Sequence, residues 1–339
     1  MRMPAEWEPH AATWLAWPHE DSDWPGKFAC VPWIYGEIVA RVARKERVRI
    51  LCNEAGPVRE ILRKCHVNLH AVDLYETATD RSWTRDTCPI FTLRDSGERV
   101  LTDWRFNGWA KYDNWQADDC VGEFIGARLR LDRVQPMHRG KRVVLEGGSI
   151  DVNGRGLLLT TEECLLSPVQ ARNPELTRED MDAVFREYLG VEKTLWLGNG
   201  IAGDDTHGHV DDLARFVGTN VIVVASEPDP LDPNHEPLEE NRRRLLEMTD
   251  QVGRPFWVHT LPMPKPVWFD NQRLPASYAN FYIANDLVLV PSFNDPNDIV
   301  AIRTLQELFP DREVTGIACT DLVLGLGTLH CMTQQEPAA

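Results

Sequence analysis

The sequence predicts an α/β fold built from a repeated unit, and three regularities along the chain carry this prediction. Short strands joined by tight polar turns recur four times. Amphipathic helices follow three of these four hairpins. A polar residue suited to chemistry stands just before each hairpin, at steps of roughly 60 residues. No linker rich in proline, glycine or serine divides the chain, so we expect one domain over residues 1–339.

Turn chemistry defines the four hairpins. Glycine, asparagine and aspartate tolerate the backbone angles of a tight reversal, and each predicted turn contains at least one of them. The strands that these turns join are 88–93 with 99–102, 149–152 with 156–160, 213–217 with 221–225, and 281–284 with 287–291.

Four further segments have apolar residues at three- and four-residue spacing, which is typical of amphipathic helices. Proline and threonine, which favour a helix start, stand at the beginning of some of them. The predicted helices are 57–64, 177–188, 238–252 and 296–308.

The polar residues before the hairpins are the first indication of a site. Asp86, Glu146 and Asn280 precede the first, second and fourth hairpins, and His209 and Asp211 precede the third. A last strand-like piece carries His330 and Cys331. If the repeats form a ring, groups in equivalent places converge on its axis. We therefore expect these side chains to meet at one centre.

Composition and charge narrow the class of function. The chain is 43% hydrophobic and 26% charged, as in ordinary globular proteins, and its net charge of −16 argues against a nucleic-acid partner. The same negative field would attract a small cation. No apolar run reaches membrane-spanning length, and the N-terminal segment is polar and aromatic, so a cytoplasmic protein is expected. The eight cysteines form no CxxC pair, which favours reduced thiols.

The segment 207–212 allows two kinds of site. On an extended chain, residues two apart face the same side, so His207, His209 and Asp211 would point together. They would then suit a metal-dependent hydrolase. Alternatively, His209 acts as a general acid and base without metal, and Asp211 binds a positive charge.

Cys331 is a candidate nucleophile, because the glycines before it permit close backbone approach. Asp86 and Glu146 add carboxylates, and Asp86 lies three residues after Trp83. Carboxylates match the planar array of N–H donors on a guanidinium, whose flat face an aromatic ring can cover. The aromatic segment 104–115 is a possible cap for such a pocket.

Eight motifs spread over almost the whole chain match one family pattern. They are Met3-Pro4-Ala5-Glu6-Trp7-Glu8-Pro9, Trp83-Thr84-Arg85-Asp86, Phe106-Asn107-Gly108-Trp109, Glu146-Gly147-Gly148, Ala171-Arg172-Asn173-Pro174, Gly203-Asp204-Asp205-Thr206 through Asp211, Tyr278-Ala279-Asn280-Phe281 and Cys331-Met332-Thr333-Gln334-Gln335. In these motifs the chain resembles the agmatine deiminases, within the wider group that includes the bacterial-type peptidylarginine deiminases. The resemblance implies a pentein fold, a five-bladed pseudo-symmetric α/β propeller of ββαβ units around a central active site, forming a single catalytic domain.

The resemblance also implies the chemistry. Cys331 would attack the guanidinium carbon of agmatine, His209 would serve as acid and base, and Glu146 would be its partner. The reaction would pass through an S-alkylthiouronium and yield N-carbamoylputrescine, a step of polyamine synthesis, and ammonia. Neither metal nor organic cofactor would be needed. A homodimer or higher homo-oligomer is expected.

The substrate contacts follow from the same resemblance. Asp86 and Asp211 would hold the guanidinium nitrogens, Trp83 would lie against the substrate, and Asn280 is a secondary candidate.

The sequence departs from the family pattern at four places, which are His207, Leu326, Thr328 and Cys88. Two of them are close to the nucleophile, so the identity of the guanidine stays open. Free arginine, peptidyl-arginine or another alkylguanidine are alternatives to agmatine, as is amidino transfer on the same fold.

Overall fold

The computed structural model describes all 339 residues, and its strands group into five main sheets and two small hairpins. None of its helices combines the length and apolar character required to cross a membrane. The strands, in chain order, are β1 (His10–Ala16), β2 (Arg47–Cys52), β3 (Val72–Glu76), β4 (Ile90–Leu93), β5 (Arg99–Thr102), β6 (Asp132–Val134), β7 (Met137–His138), β8 (Lys141–Arg142), β9 (Asp151–Val152), β10 (Leu157–Thr161), β11 (Lys193–Leu197), β12 (Ala214–Gly218), β13 (Val221–Ser226), β14 (Trp257–Pro262), β15 (Trp268–Phe269), β16 (Gln272–Arg273), β17 (Tyr282–Ala284), β18 (Leu287–Ser292), β19 (Glu313–Ala318) and β20 (Gln334–Pro337).

Eight α-helices connect or flank these strands. They are α1 (Val31–Val42), α2 (Ala55–Lys64), α3 (Thr84–Thr87), α4 (Val121–Leu129), α5 (Glu162–Leu166), α6 (Arg178–Leu189), α7 (His235–Glu247) and α8 (Asn297–Leu308).

Each main sheet repeats one topology. Two strands pair antiparallel as a hairpin, a helix follows, and a third strand then pairs parallel with the second member of the hairpin. This holds for β4-β5-β6, β9-β10-β11, β12-β13-β14 and β17-β18-β19. The unit is therefore ββαβ, as the resemblance implied.

The two ends of the chain together form one more unit, which is the first in chain order, and β17-β18-β19 is the fifth. β20 pairs antiparallel with β1, and β1 pairs parallel with β2, which follows α1. β3 extends this sheet to four strands. Contacts run from each unit to the next, and β19 of the last unit touches α1 of the first. The five units thus close a ring, and the predicted fold class is confirmed.

Local sequence explains why these elements form. The second hairpin strands β10, β13 and β18 are mostly apolar along their length, as expected for strands that are covered on both faces. Helix α6 begins after a capping box in which Thr177 and Asp180 satisfy each other's backbone N–H groups. It ends at Gly190, whose φ of 70° suits a residue without Cβ.

The largest apolar cluster joins the first and fifth units and reaches the centre of the ring. It contains 44 buried residues, among them Trp83, Leu329 and Cys331. Since densely packed interiors resist displacement, this cluster fixes the position of the chain around Cys331.

All four predicted hairpins and all four predicted helices are confirmed, with shifts of a few residues. The largest shift is at the predicted helix 238–252, which spans His235–Glu247 because Met248 adopts an extended conformation. The prediction that His330 and Cys331 lie on a strand is wrong. They lie in a turn before β20, so Cys331 precedes a strand pair just as the other polar residues do.

Candidate active site

Five short turns bring the predicted residues together at the centre of the ring. α3 carries Asp86, and 3-10 helices follow Glu146, follow His209 and end at Asn280. The turn before β20 carries Cys331. We call Asp86, Glu146, His209, Asp211, Asn280 and Cys331 the inner site, and each is at most 8% exposed. A cavity of about 430 Å³ opens onto it, lined by Cys331, Asp86 and Trp83 among others.

The Cys331 thiol sits between an amide donor and carboxylates. Its Sγ atom accepts a hydrogen bond from Asn280 Nδ2 at 3.0 Å and lies 3.6 Å from Asp211 Oδ2. Burial, together with the negative charges of Asp211, Asp212 and Asp86, raises the pKa of the thiol well above its ordinary value. The free protein therefore holds Cys331 as a neutral thiol at neutral pH.

Asn280 fixes the shape of the nucleophile turn. Its Oδ1 accepts hydrogen bonds from the Thr328 hydroxyl at 2.8 Å and from the backbone N–H of His330 at 3.1 Å. Its Nδ2 donates to Asp212 Oδ1 at 3.0 Å as well as to the sulfur. Asn280 thus belongs to the centre of the inner site, and Thr328, a departure from the family pattern, is one of its partners.

His209 stands between two carboxylates. Its Nδ1 is 3.9 Å from Asp86 Oδ2, and its Nε2 is 3.7 Å from Glu146 Oε2. Asp204 holds the backbone here by accepting from the N–H groups of Gly208 and His209. Burial opposes ionisation of the imidazole, but the carboxylate of Asp86 outweighs it and the pKa of His209 is raised well above the usual value. A protonated His209 can donate a proton to a leaving group.

Arg172 keeps Glu146 ionised. Its Nε donates to Glu146 Oε1 at 3.1 Å, and its other nitrogens donate to the backbone oxygens of Gln170 and Thr206. Burial opposes the effect, but Arg172 and His209 lower the pKa of Glu146 to about 2. Sequence reasoning did not assign this role to Arg172, although the motif 171–174 that contains it carries the family resemblance.

Asp86 is held by two donors. The Trp109 indole N–H donates to Oδ2 at 2.8 Å, and the backbone N–H of Gly148 donates to Oδ1 at 3.0 Å. Burial raises the pKa of Asp86 to about 6, and the charges of Glu146 and Asp211 add to this effect. A Cβ on Gly148 would lie 2.4 Å from His209 Nδ1, so this glycine allows Asp86 and His209 to approach.

Asp211 is joined to a buried chain of charged groups. Its Oδ2 lies 2.7 Å from His330 Nδ1, and His330 Nε2 lies 2.7 Å from Glu6 Oε2. Burial acts against ionisation, but the hydrogen bond with His330 lowers the pKa of Asp211. Sequence reasoning missed the roles of Glu6 and His330, because residues 324 positions apart give no local signal.

Trp83 forms part of the cavity wall beside the nucleophile. A Cβ on Gly327 would lie 2.9 Å from the Trp83 ring and 3.0 Å from Cys331 Cβ, so only glycine fits between the two side chains. Of the aromatic segment 104–115, Trp109 and Tyr112 line the cavity. The predicted cap is therefore partly present as a side wall.

The expectation that His207 and His209 face the same side is wrong. Positive φ angles at His207 (64°) and Gly208 (94°) turn the chain, so it is not extended there. His207 Nε2 instead lies 3.1 Å from Ser167 Oγ, and the proposed metal ligands His207, His209 and Asp211 form no group. Donor atoms within 4.8 Å of one another do occur in two other sets, Glu146 with Cys164 and His209, and Asp211 with Asp212 and Cys331.

Several buried polar atoms of the inner site have no hydrogen-bond partner within the protein. They are Glu146 Oε2, Asp211 Oδ1 and both ring nitrogens of His209. Because an unpaired buried polar group is costly, this pattern is typical of a site that a ligand completes. Two of these atoms are carboxylate oxygens, so the matching ligand is a cation with several N–H donors.

Comparison with known proteins gives one consistent family. The Porphyromonas-type peptidyl-arginine deiminase family matches residues 2–337 of the chain. Agmatine deiminase of Pseudomonas aeruginosa (strain LESB58) is 36% identical over 360 residues, covering 99% of this chain and 95% of that protein. Agmatine deiminase of Stutzerimonas stutzeri (strain A1501) is also 36% identical, with the same coverage.

Solved structures agree. The structure of agmatine deiminase of Enterococcus faecalis superposes with a TM-score of 0.91 at 33% identity, covering 99% of this chain and 95% of that one. An amidinotransferase from Microseira wollei has a TM-score of 0.53 at 11% identity, which shows a shared fold alone.

Proposed function

The chain belongs to the Porphyromonas-type peptidyl-arginine deiminase family, and we propose that it hydrolyses agmatine to N-carbamoylputrescine and ammonia with Cys331 as nucleophile. The observation that carries this proposal is the set of unpaired acceptors around the Cys331 sulfur. A guanidinium placed there gives its N–H groups to the carboxylates and presents its central carbon to the sulfur.

Substrate binding activates the thiol. The carboxylates that raise the pKa of Cys331 are those a guanidinium neutralises, so the arriving cation favours loss of the thiol proton. Asp211 Oδ2, at 3.6 Å from Sγ, is the carboxylate oxygen placed to accept that proton. The nucleophile is then a thiolate next to a cation, which is an attractive pair in a buried site.

The first half of the reaction releases ammonia. The thiolate forms a C–S bond with the guanidinium carbon and gives a neutral tetrahedral adduct. Protonated His209 donates its proton to one amino group, the C–N bond breaks, and ammonia leaves. What remains is an S-alkylthiouronium on Cys331 and a neutral His209 between Asp86 and Glu146.

The second half restores the enzyme. Neutral His209 accepts a proton from water while the water oxygen attacks the thiouronium carbon. Collapse of this second adduct breaks the C–S bond and releases the ureido product. The hydroxyl proton of the adduct passes to the departing sulfur, which restores the Cys331 thiol, and Asp211 loses its proton to the released ammonia. Arg172 keeps Glu146 ionised, and this negative charge stabilises the protonated imidazole of His209 in each half of the reaction.

The charges of the cavity favour agmatine over arginine. Its lining includes the carboxylates of Asp23, Asp86, Asp205 and Asp270 and one guanidinium, Arg81. Arg81 is already bonded to Asp23. A carboxylate at the far end of the substrate would meet net repulsion there, whereas an ammonium would be attracted.

An ammonia-release assay over agmatine, arginine and a peptidyl-arginine tests this function. We expect release from agmatine above the other two, and none from Cys331→Ala. Cys120→Ala removes an exposed thiol and serves as the matched control, with activity retained. No release from any guanidine, or full activity of Cys331→Ala, would refute the proposal.

A further inference from the structure

The cavity wall away from the nucleophile carries more negative charge than a guanidinium needs. We call Asp23, Arg81, Tyr112, Asp205, Asp270 and Leu326 the outer wall, and all of them line the cavity. A guanidinium bound at the inner site uses Asp86 and Asp211. The three carboxylates of the outer wall are therefore left to explain.

Two of these three carboxylates have other partners. Asp205 accepts from the Lys111 ammonium and, at 2.7 Å, from the Tyr112 hydroxyl, so both of its oxygens are engaged. Asp270 is exposed in the turn between β15 and β16, where water solvates it. Neither has an unmet demand for a donor.

Asp23 differs from both. Its side chain is only 3% exposed, its Oδ1 accepts from Arg81, and its Oδ2 is buried with no hydrogen-bond partner. Burial raises the pKa of Asp23 to about 6, because the charge of Arg81 only partly offsets the desolvation of the carboxylate.

Arg81 cannot easily serve both oxygens. Its guanidinium lies 4.3 Å from the centre of the Tyr112 ring, and its Nη2 donates to Asn114 Oδ1 at 3.1 Å. These contacts hold the guanidinium on the Oδ1 side of Asp23. The open oxygen is left for a donor that enters with the substrate.

Trp83 lines the same cavity as Asp23 and the nucleophile Cys331. Its ring packs 5.5 Å from that of Trp24, the residue after Asp23, and it is separated from Cys331 only by Gly327. Asp23 and Cys331 therefore lie on one cavity, with the Trp83 ring as shared wall.

We propose that Asp23 Oδ2 binds the primary ammonium at the far end of the substrate, and so selects an ω-aminoalkylguanidine over a plain alkylguanidine. This inference rests on the proposed function, since it assumes that a guanidine occupies the inner site. No protein donor reaches Oδ2 in this structure, so an ammonium would supply one, and the resulting charge-assisted hydrogen bond is stronger than a neutral one.

The test compares agmatine with n-butylguanidine, which has the same four-carbon chain without the amine. In Asp23→Asn, we expect kcat/KM for agmatine to fall by about 10- to 100-fold, as loss of a hydrogen bond to a charged group predicts. The value for n-butylguanidine should not change, because Asn retains an oxygen that accepts from Arg81. Asp21→Asn, which removes an exposed carboxylate from the same turn, is the matched control and should affect neither substrate.

Equal losses with both substrates in Asp23→Asn, or no loss with agmatine, would overturn the inference. If the wild type released ammonia from neither guanidine, this would refute the proposed function but not the role of Asp23. Calorimetric Kd values of the two guanidines for Cys331→Ala, with and without Asp23→Asn, would still decide the role of Asp23. Weaker binding of agmatine alone supports it, and unchanged agmatine binding refutes it.

Discussion

The inner site and the outer wall of one cavity are built in different ways. Every residue of the inner site comes from a turn that precedes a pair of antiparallel strands. Each of the five units supplies one such turn, and the turn with His209 also carries Asp211. All six residues are buried. The outer wall comes from connecting segments: 21–23, the loop 81–83, the aromatic segment 104–115, the loop that carries Asp205, the small hairpin of β15 and β16, and Leu326 before the nucleophile turn. Repetition therefore positions the reacting groups, and irregular loops shape the rest of the pocket. The consequence is that chemistry and selectivity should respond separately to substitution.

The largest effect is expected at the inner site, in His209→Asn. This variant has no group to protonate the leaving ammonia or to activate water, so kcat should fall by about 10²- to 10⁴-fold. His207→Asn is the matched control, since His207 contacts Ser167 outside the inner site. Steady-state kinetics on both variants check the difference. Comparable losses in the two would mean that His209 has no special role.

The second effect concerns the thiol of the inner site. Because burial and three carboxylates raise the pKa of Cys331, alkylation of the free protein at Cys331 by iodoacetamide should be slow at pH 7 and accelerate well above pH 9. Each unit of pH below the pKa should slow it by about tenfold. Peptide mass spectrometry can follow Cys331 separately from the exposed Cys120. A Cys331 profile with its midpoint below neutral pH would exclude activation of the thiol by the substrate.

A smaller effect separates function from stability at Asp86. The pKa of Asp86 is raised in the folded protein, so its contribution to stability is complete below its unfolded pKa and is lost as pH rises through about 6. Asp86→Asn lacks this loss. We expect the free energy of unfolding of Asp86→Asn, relative to that of the wild type, to increase from pH 4 to pH 7. The activity of the variant should be lower than that of the wild type. Urea unfolding at several pH values measures this difference. A difference in free energy of unfolding that does not change with pH would mean that burial does not disfavour the ionised form of Asp86.

The smallest effect lies on the outer wall, at Leu326. Its φ of 68° is a left-handed conformation that costs a side-chain-bearing residue about 1 kcal/mol relative to glycine. Leu326→Ala keeps this cost and Leu326→Gly removes it, so the glycine variant should be the more stable of the two by about 1 kcal/mol. Both variants widen the cavity and should accept bulkier guanidines. Urea midpoints and a substrate panel measure the two effects, and an alanine variant as stable as the glycine variant would refute the strain.

The sequence predicts the inner site well for a physical reason. Each of the five units places its contribution just before a strand pair, so the spacing is visible without coordinates; the contributions are Asp86, Glu146, His209 with Asp211, Asn280 and Cys331. The four hairpins could be predicted for the same reason, because their turns depend on local chemistry. The third strands β6, β11, β14 and β19, and the helices α1 and α4, were not predicted, since strands that pair with distant partners leave little local pattern.

Other features depend on residues that are distant in sequence. Glu6 reaches Asp211 through His330, and Arg172 reaches Glu146, only after the ring has closed. Asp23 has an open oxygen because Arg81, Tyr112 and Trp83 surround it, which no spacing along the chain shows. The error at His207 has a local cause, since the positive φ of a residue other than glycine was not expected from sequence.

The most direct test of the account is the mass of the protein quenched during turnover of agmatine. A thiouronium on Cys331 adds the mass of agmatine less ammonia. It should accumulate in His209→Asn when the substitution slows hydrolysis of the thiouronium more than it slows the release of ammonia. We predict this adduct on the peptide that contains Cys331, in the wild type or in His209→Asn, and its absence in Cys331→Ala. Turnover of agmatine with no adduct on that peptide in either protein, or turnover by Cys331→Ala, would contradict the account.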